Sequence, residues 1–314
     1  MSRGLELSKD FYRRCAEPMM EKVLADILDQ LAVGLVGEGS ECFGFDDEHS
    51  QDHDWGPAFC VWVPDDKLDA LRGRVEGIFN FLPETFEGVP SRMVPAKRIG
   101  RCGLFGIGEF YSRFTRYKRS PQSVEEWFAI PEHFLATCTN GEVFRDDCGE
   151  FSAYRQILLD YYPEDVRLKK IAARCGTMAQ SGQYNLLRCA KRGDAVASLQ
   201  ALSKFVEATL SLQFLLSKKY MPFYKWSFRA CQDLPTAQRV LEKLKSLMDS
   251  YNAAGVNDPK VLEANVEAVC VECVAQLRQA GLSSAEGDWL MSHAEFIQGR
   301  IGIDSMRNLP VLMG

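Results

Sequence analysis

Near residue 150 the spacing of apolar residues changes, and that change limits what the chain can fold into. Before it, apolar runs at 31–37 and 58–63 are bounded by Gly, Pro and Asp, as strands are. Beyond it the strand signals vanish. Helical spacing covers 151–161, 164–190, 194–219, 235–252, 258–280 and 283–300, punctuated by Pro163, Gly193-Asp194, Pro222, Pro235, Gly255, Asp258-Pro259 and Gly281. The expectation is an α+β chain: a small mixed-sheet domain over 1–150, then an all-helical bundle over 151–314, with the boundary at 148–153. A length of 314 residues suffices for two ordinary cores.

Within the first part, 8–31 reads as an amphipathic helix that Ser8 or Asp10 can cap and Pro18 can bend. Strands are expected at 31–37 and 55–63, then a helix from Asp65-Asp66 to about Phe81. Short strands are expected near 89–94 and 103–111. The glycine-rich segment 103–108 is neither a Walker loop nor a dinucleotide fingerprint, and its simplest use is a strand bend. Ser123 opens a capping box, Pro131 starts a helix reaching Cys138, and Asn140-Gly141 turns the chain into a strand at 142–145.

Composition narrows the class. Hydrophobic residues make up 46% and charged residues 25%, and no apolar run is long enough for a membrane span. The first ten residues lack a signal-peptide layout, so a cytoplasmic protein is expected. Eleven cysteines, an odd number, fit free thiols in a reducing compartment; Cys270 and Cys273 lack a second pair and read as small apolar residues on a helix. A net charge of −6 argues against nonspecific nucleic-acid binding. The charge is uneven: between Arg92 and Arg119 stand eight basic residues and one acid, Glu109. That segment can grip a triphosphate or another anion, or simply form a solvated basic surface.

The chemistry concentrates at 39–54, where Gly39-Ser40 is followed by acids ending in Asp52-His53-Asp54. Residues i and i+2 of a strand share a face, so Asp52 and Asp54 can aim two carboxylates at one divalent metal. A tight Gly-Ser turn lets backbone N–H groups and a hydroxyl approach a phosphate. His49 and His53 stand four residues apart, but the surrounding glycines and acids argue against a helical metal site. His53-Asp54 also evokes His-Asp phosphohydrolases, which need further His on separate helices; only His133 and His293 remain.

Gly39, Ser40, Gly44, Asp52 and Asp54 together resemble the signature of the nucleotidyltransferase superfamily of the DNA polymerase β type. Two positions depart from it: Ser50 stands one residue further back than usual, and His53 replaces an apolar residue. The order of Ser50–Pro57, Thr139–Asp146, Tyr161–Val166, Arg188–Asp194 and Tyr220–Trp226 also resembles a bacterial family with a nucleotidyltransferase-like domain and a helical domain, known mainly as a domain of unknown function. That likeness covers about 30–235.

The resemblance implies transfer of a nucleoside monophosphate from ATP or another NTP to a hydroxyl or amine, with Asp52 and Asp54 on Mg2+ (or Mn2+) and Gly39 and Ser40 on the phosphates. It implies a third carboxylate as general base: Glu109 first, Asp146 or Asp147 otherwise. In the helical half it implies that Arg192 and Lys225 reach phosphate and that Tyr224 or Trp226 stacks on a base, against the simpler reading of these aromatics as core. A small-molecule acceptor is preferred over protein or RNA. The alternatives are a noncatalytic, antitoxin-like nucleotide-binding protein and a modifier of protein or RNA.

Overall fold

The computed structural model describes residues 3–51, 55–98, 100–254 and 258–314. It is α+β. Its contacts divide the chain into two units, Met1–Gln122 with Ile130–Tyr161, and Ser123–Ala129 with Tyr162–Gly314. Among the described residues no helix is long and apolar enough to cross a membrane.

The first unit is built on a four-stranded mixed sheet. In chain order its elements are α1 (Arg3–Phe11), α2 (Glu17–Val23), β1 (Ala32–Leu35), the short α3 (Ser40–Phe43), β2 (Cys60–Val63), α4 (Leu68–Phe79), a small hairpin β3 (Thr85–Phe86) and β4 (Val89–Pro90), β5 (Gly103–Gly106) and α5 (Ile107–Thr115). After α6 (Val124–Ala129), which belongs to the second unit, come α7 (Glu132–Cys138), β6 (Glu142–Asp146) and α8 (Glu150–Leu159). The sheet order is β5-β2-β1-β6. β1 runs antiparallel to both neighbours, and β5 runs parallel to β2.

β1 and β2 are buried at every residue, so both faces of the sheet centre are covered. Trp62 looks toward α5 and α8, 5.3 Å from Phe110 and stacked at 3.9 Å on Phe151. Phe59, of opposite parity, meets Phe11, Tyr12 and Phe79 on the other face. Gly34 sits at a register shift between β1 and β6, where an added Cβ would lie 2.5 Å from the Glu142 carbonyl oxygen.

Several expected elements change shape. The helix expected over 8–31 begins at Arg3, passes through a π turn at Tyr12–Ala16 and ends as α2 at Val23. Pro18 directly follows the π turn, and the backbone stays helical through Ala16 and Glu17, so the helix continues past it rather than ending there. The strand expected over 103–111 closes at Gly106, and 107–115 is helix. Cβ atoms at Gly106 and Gly108 would lie 2.3 and 2.6 Å from the Asp65 carboxylate, so these glycines admit a capping acid rather than bend a strand.

The second unit is helical: α6, α9 (Glu164–Met178), a π segment at Ala179–Leu186, α10 (Leu187–Lys191), α11 (Ala195–Leu216), α12 (Tyr224–Cys231), α13 (Gln238–Ala254), α14 (Pro259–Gln279), α15 (Leu290–Gly299) and α16 (Asp304–Arg307). Its stops and starts follow the sequence. Gly193 (φ +70°) and Gly281 (φ +65°) terminate α10 and α14, with Asp194 N–H donating to Cys189 O and Leu282 N–H to Leu277 O. Asp194 and Asp258 then cap α11 and α14. The helix expected over 283–300 starts only at Leu290, and α12 was not anticipated. The C-terminal segment docks: buried Lys169 donates to the carbonyls of Pro310 and Val311 and to Gln298 Oε1, at 2.9 to 3.0 Å.

Phe151 is fully buried against Trp62. Phe151→Ala is expected to destabilise the first unit by about 3–5 kcal/mol, measured by urea titration of Trp fluorescence. A loss below about 1 kcal/mol would mean that this face of the sheet is not a packed core.

Candidate functional site

The site grows from the sheet end where β1 finishes. Since β1 is antiparallel to β2 and β6, and β5 is parallel to β2, this end also holds the starts of β2, β5 and β6. Gly37 (φ +123°) and Gly39 (φ +138°) turn the chain out of β1 into α3. Only glycine takes these angles without strain. A Cβ at Gly39 would also lie 2.6 Å from the Glu41 carboxylate. Gly44 (φ +74°) ends α3.

Two devices hold this turn. The Asn140 side chain embraces the Gly37 peptide unit: Gly37 N–H donates to Asn140 Oδ1 at 2.9 Å, and Asn140 Nδ2 donates to Gly37 O at 2.8 Å. The neighbouring Gly141 N–H donates to Cys42 O at 2.8 Å. Beneath the turn, Glu41 and Arg92 form a buried ion pair at 2.7 Å, with side chains 3% and 4% exposed. Burial works against the Arg92 charge, but the Glu41 carboxylate, by its charge and its hydrogen bond, favours it, and the guanidinium pKa lies above its ordinary value. The nearby thiols of Cys42 and Cys60 are pushed well up by burial and stay protonated. They serve as packing, not as nucleophiles.

On the outer side of the turn, one carboxylate oxygen of Glu38 faces two guanidinium groups, Arg113 at 3.5 Å and Arg101 at 3.8 Å. Arg113 also lies over the rings of Phe105 and Phe114, 5.6 and 5.4 Å from their centroids. Ser40, the first residue of α3 and two residues after Glu38, is half-buried. The arrangement brings two guanidinium groups, one of them braced by aromatic rings, to the outer side of the turn, which suits an oxyanion with several oxygens.

Asp52 and Asp54, with His53, lie outside the described residues. Gly39 and Ser40 are together at the β1 end. Glu109 is not with them. It occupies the exposed first turn of α5, beyond the opposite end of β5, where its N–H donates to Asp65 Oδ1 and its carboxylate pairs with Lys118 at 3.3 Å. Hydrogen bonding to Glu109 in turn raises the Lys118 pKa. The physical reason is strand direction: β5 starts at the β1 end and runs parallel to β2 away from it, so Glu109, three residues past Gly106, lies beyond the far end of the sheet. Asp146 also lies away from Ser40: it ends β6 opposite Ala32, and its carboxylate accepts from the Gly149 and Ser152 N–H groups as the cap of α8. Asp147 pairs with Arg145.

In the helical unit, Arg192 is the exposed last residue before Gly193, and Lys225 is exposed in the first turn of α12, 5.1 Å over the Trp226 ring. Tyr224 is 71% exposed, which corrects its reading as core. His293 is buried, between the Ser283 hydroxyl on Nδ1 and the Gly287 carbonyl on Nε2, a structural setting. Cys270 and Cys273 are fully buried in α14. Among the described residues no group of three or more His, Cys, Asp or Glu side chains is arranged to hold a metal ion.

The Gly-Ser turn and the basic segment from Arg92 are visible in the sequence; Glu38, the Glu41–Arg92 pairing and the role of Asn140 are not. Asn140-Gly141 carried a turn signal only, and nothing local links it to a peptide about a hundred residues earlier.

Comparison with known families matches residues 127–227 to a domain of unknown function (DUF4037). The match takes in Asn140 and Gly141, Arg188–Asp194 and Tyr220–Trp226, and leaves out Gly39, Ser40, Asp52 and Asp54. It covers part of the span over which the family likeness was expected. Neither the comparison with curated proteins nor that with solved structures gave a match.

Asn140→Asp keeps the side-chain shape but removes the donor to Gly37 O. It is expected to cost about 1–3 kcal/mol of stability, read by denaturant titration. An unchanged midpoint would show that the clamp does not hold the turn.

Proposed function

We propose that the β1 end of the sheet binds a nucleoside triphosphate and that the protein transfers the nucleoside monophosphate to a hydroxyl or amine, releasing pyrophosphate. The observation that carries this reading is the juxtaposition of the Gly39–Ser40 turn with Arg101 and Arg113 at one end of the sheet. Gly39 lets the backbone approach phosphate oxygens, Ser40 offers its hydroxyl, and Arg113 adds charge from a position fixed by aromatic faces.

Metal ligation rests on the sequence motif: Asp52 and Asp54 would hold Mg2+ or Mn2+. Bound there, the ion would neutralise triphosphate charge and activate the acceptor oxygen. The acceptor assigned is a small molecule, with ATP as the donor. A second reading is a protein that binds nucleotide without turning it over. It is favoured by the position of Glu109 and Asp146, both away from Ser40.

Pyrophosphate release from ATP and Mg2+ is the test, run with a panel of hydroxyl and amine acceptors. Asp52→Asn and Asp54→Asn are each expected to lower the rate about 10²-fold or more. Nucleotide binding with no release from any acceptor, and with affinity unaffected by both substitutions, would reject transfer and leave the binding-only reading.

A further inference from the structure

Glu38 stands where a phosphate would have to stand to use both arginines. Its single oxygen Oε2 is the shared partner of Arg101 and Arg113, at separations looser than a tight ion pair. The three side chains are 49%, 40% and 33% exposed, so water and ligands reach them. The guanidinium of Arg113 is braced by Phe105 and Phe114, whereas Glu38 follows Gly37 and precedes Gly39, two positive-φ residues that leave its side chain at the outer edge of the turn. Arg113 is thus the fixed partner and the carboxylate the exchangeable one.

We propose that Glu38 is an internal counter-ion: it holds Arg101 and Arg113 in the ligand-free protein and is displaced by the polyphosphate of the ligand. No bond is made or broken; one anion replaces another on the same two cations. Glu38 thereby sets a threshold. A polyphosphate presents several oxygens to both forks and displaces the carboxylate, whereas a monoanion gains little by doing so. This inference rests on the nucleotide-binding reading above and assigns a selectivity for polyphosphate over single phosphates to the same site.

The experiment is a calorimetric titration of ATP, inorganic tripolyphosphate and inorganic phosphate into the full chain at fixed salt, with each variant's thermal melt checked. Glu38→Gln is expected to tighten ATP and tripolyphosphate about tenfold, the scale of two partly exposed ion pairs released. It is expected to raise phosphate affinity as well and so narrow the selectivity. In an Arg101→Gln/Arg113→Gln background the same substitution should change nothing. An undiminished gain in that background would show a general field effect and overturn displacement. Unchanged or weaker binding by Glu38→Gln alone would overturn it too. Absence of ATP and tripolyphosphate binding by both the unaltered chain and Glu38→Gln would instead reject the nucleotide-binding reading, and with it this inference.

Discussion

The buried pair between Glu41 and Arg92 is the interaction on which the sheet end depends. Two charges with almost no solvent cost several kcal/mol to bury, and they persist only where the surroundings complete them. Here the surroundings are the site's own framework. Glu41 belongs to α3, directly after Ser40. Arg92 follows the β3–β4 hairpin, its N–H donates to Pro57 O at the approach to β2, and its carbonyl accepts from the Cys102 thiol at the start of β5. One ion pair therefore ties together the turn and the entries of two strands. It also explains why residue 39 is glycine: the Glu41 carboxylate, held by Arg92, fills the space a Cβ would need.

Around that node the two ends of the sheet divide their work. At the β1 end, Asn140 fixes the backbone at Gly37, and Glu38, Arg101 and Arg113 stand partly exposed beside it. At the other end, the acids that follow β2, β5 and β6 serve as helix caps and ion pairs: Asp65 accepts from Glu109 N–H, Lys118 bridges Asp65 and Glu109, and Asp146 caps α8. A groove of about 500 Å³ opens there between Asp65, Lys118, Arg119 and Tyr154. It belongs to a different end of the sheet from the Gly39–Ser40 turn.

The small mixed sheet and the helical region were legible because their signals are local, whereas the units exchange at Tyr161–Tyr162, with 123–129 in the second, rather than at 148–153. Continuous apolar runs made β1 and β2, and Gly193-Asp194 and Asp258-Pro259 stopped and started helices by backbone geometry and side-chain caps. The Gly39–Ser40 turn was legible for the same reason. Glu109 was misplaced because the pairing of β5 parallel to β2, which carries it away from the Gly39–Ser40 turn, joins segments about forty residues apart and leaves no local signal. The roles of Asn140 and Glu38 and the pairing of Arg92 with Glu41 were invisible because the partners lie far off in sequence or are charges whose pairing depends on the folded turn. Tyr224 misled because aromatic residues at helical spacing usually pack, and α12 leaves this one exposed.

The most direct measurement is a crystal structure of the chain with magnesium and an ATP analogue that resists cleavage between its α- and β-phosphates. The expected result is phosphate oxygens against Ser40, Arg101 and Arg113, Glu38 turned away, and Asp52 and Asp54 about 2.0–2.1 Å from the metal. A nucleotide seated elsewhere on the first unit, such as the groove beside Lys118 and Tyr154, with Glu38 still on both arginines, would contradict it.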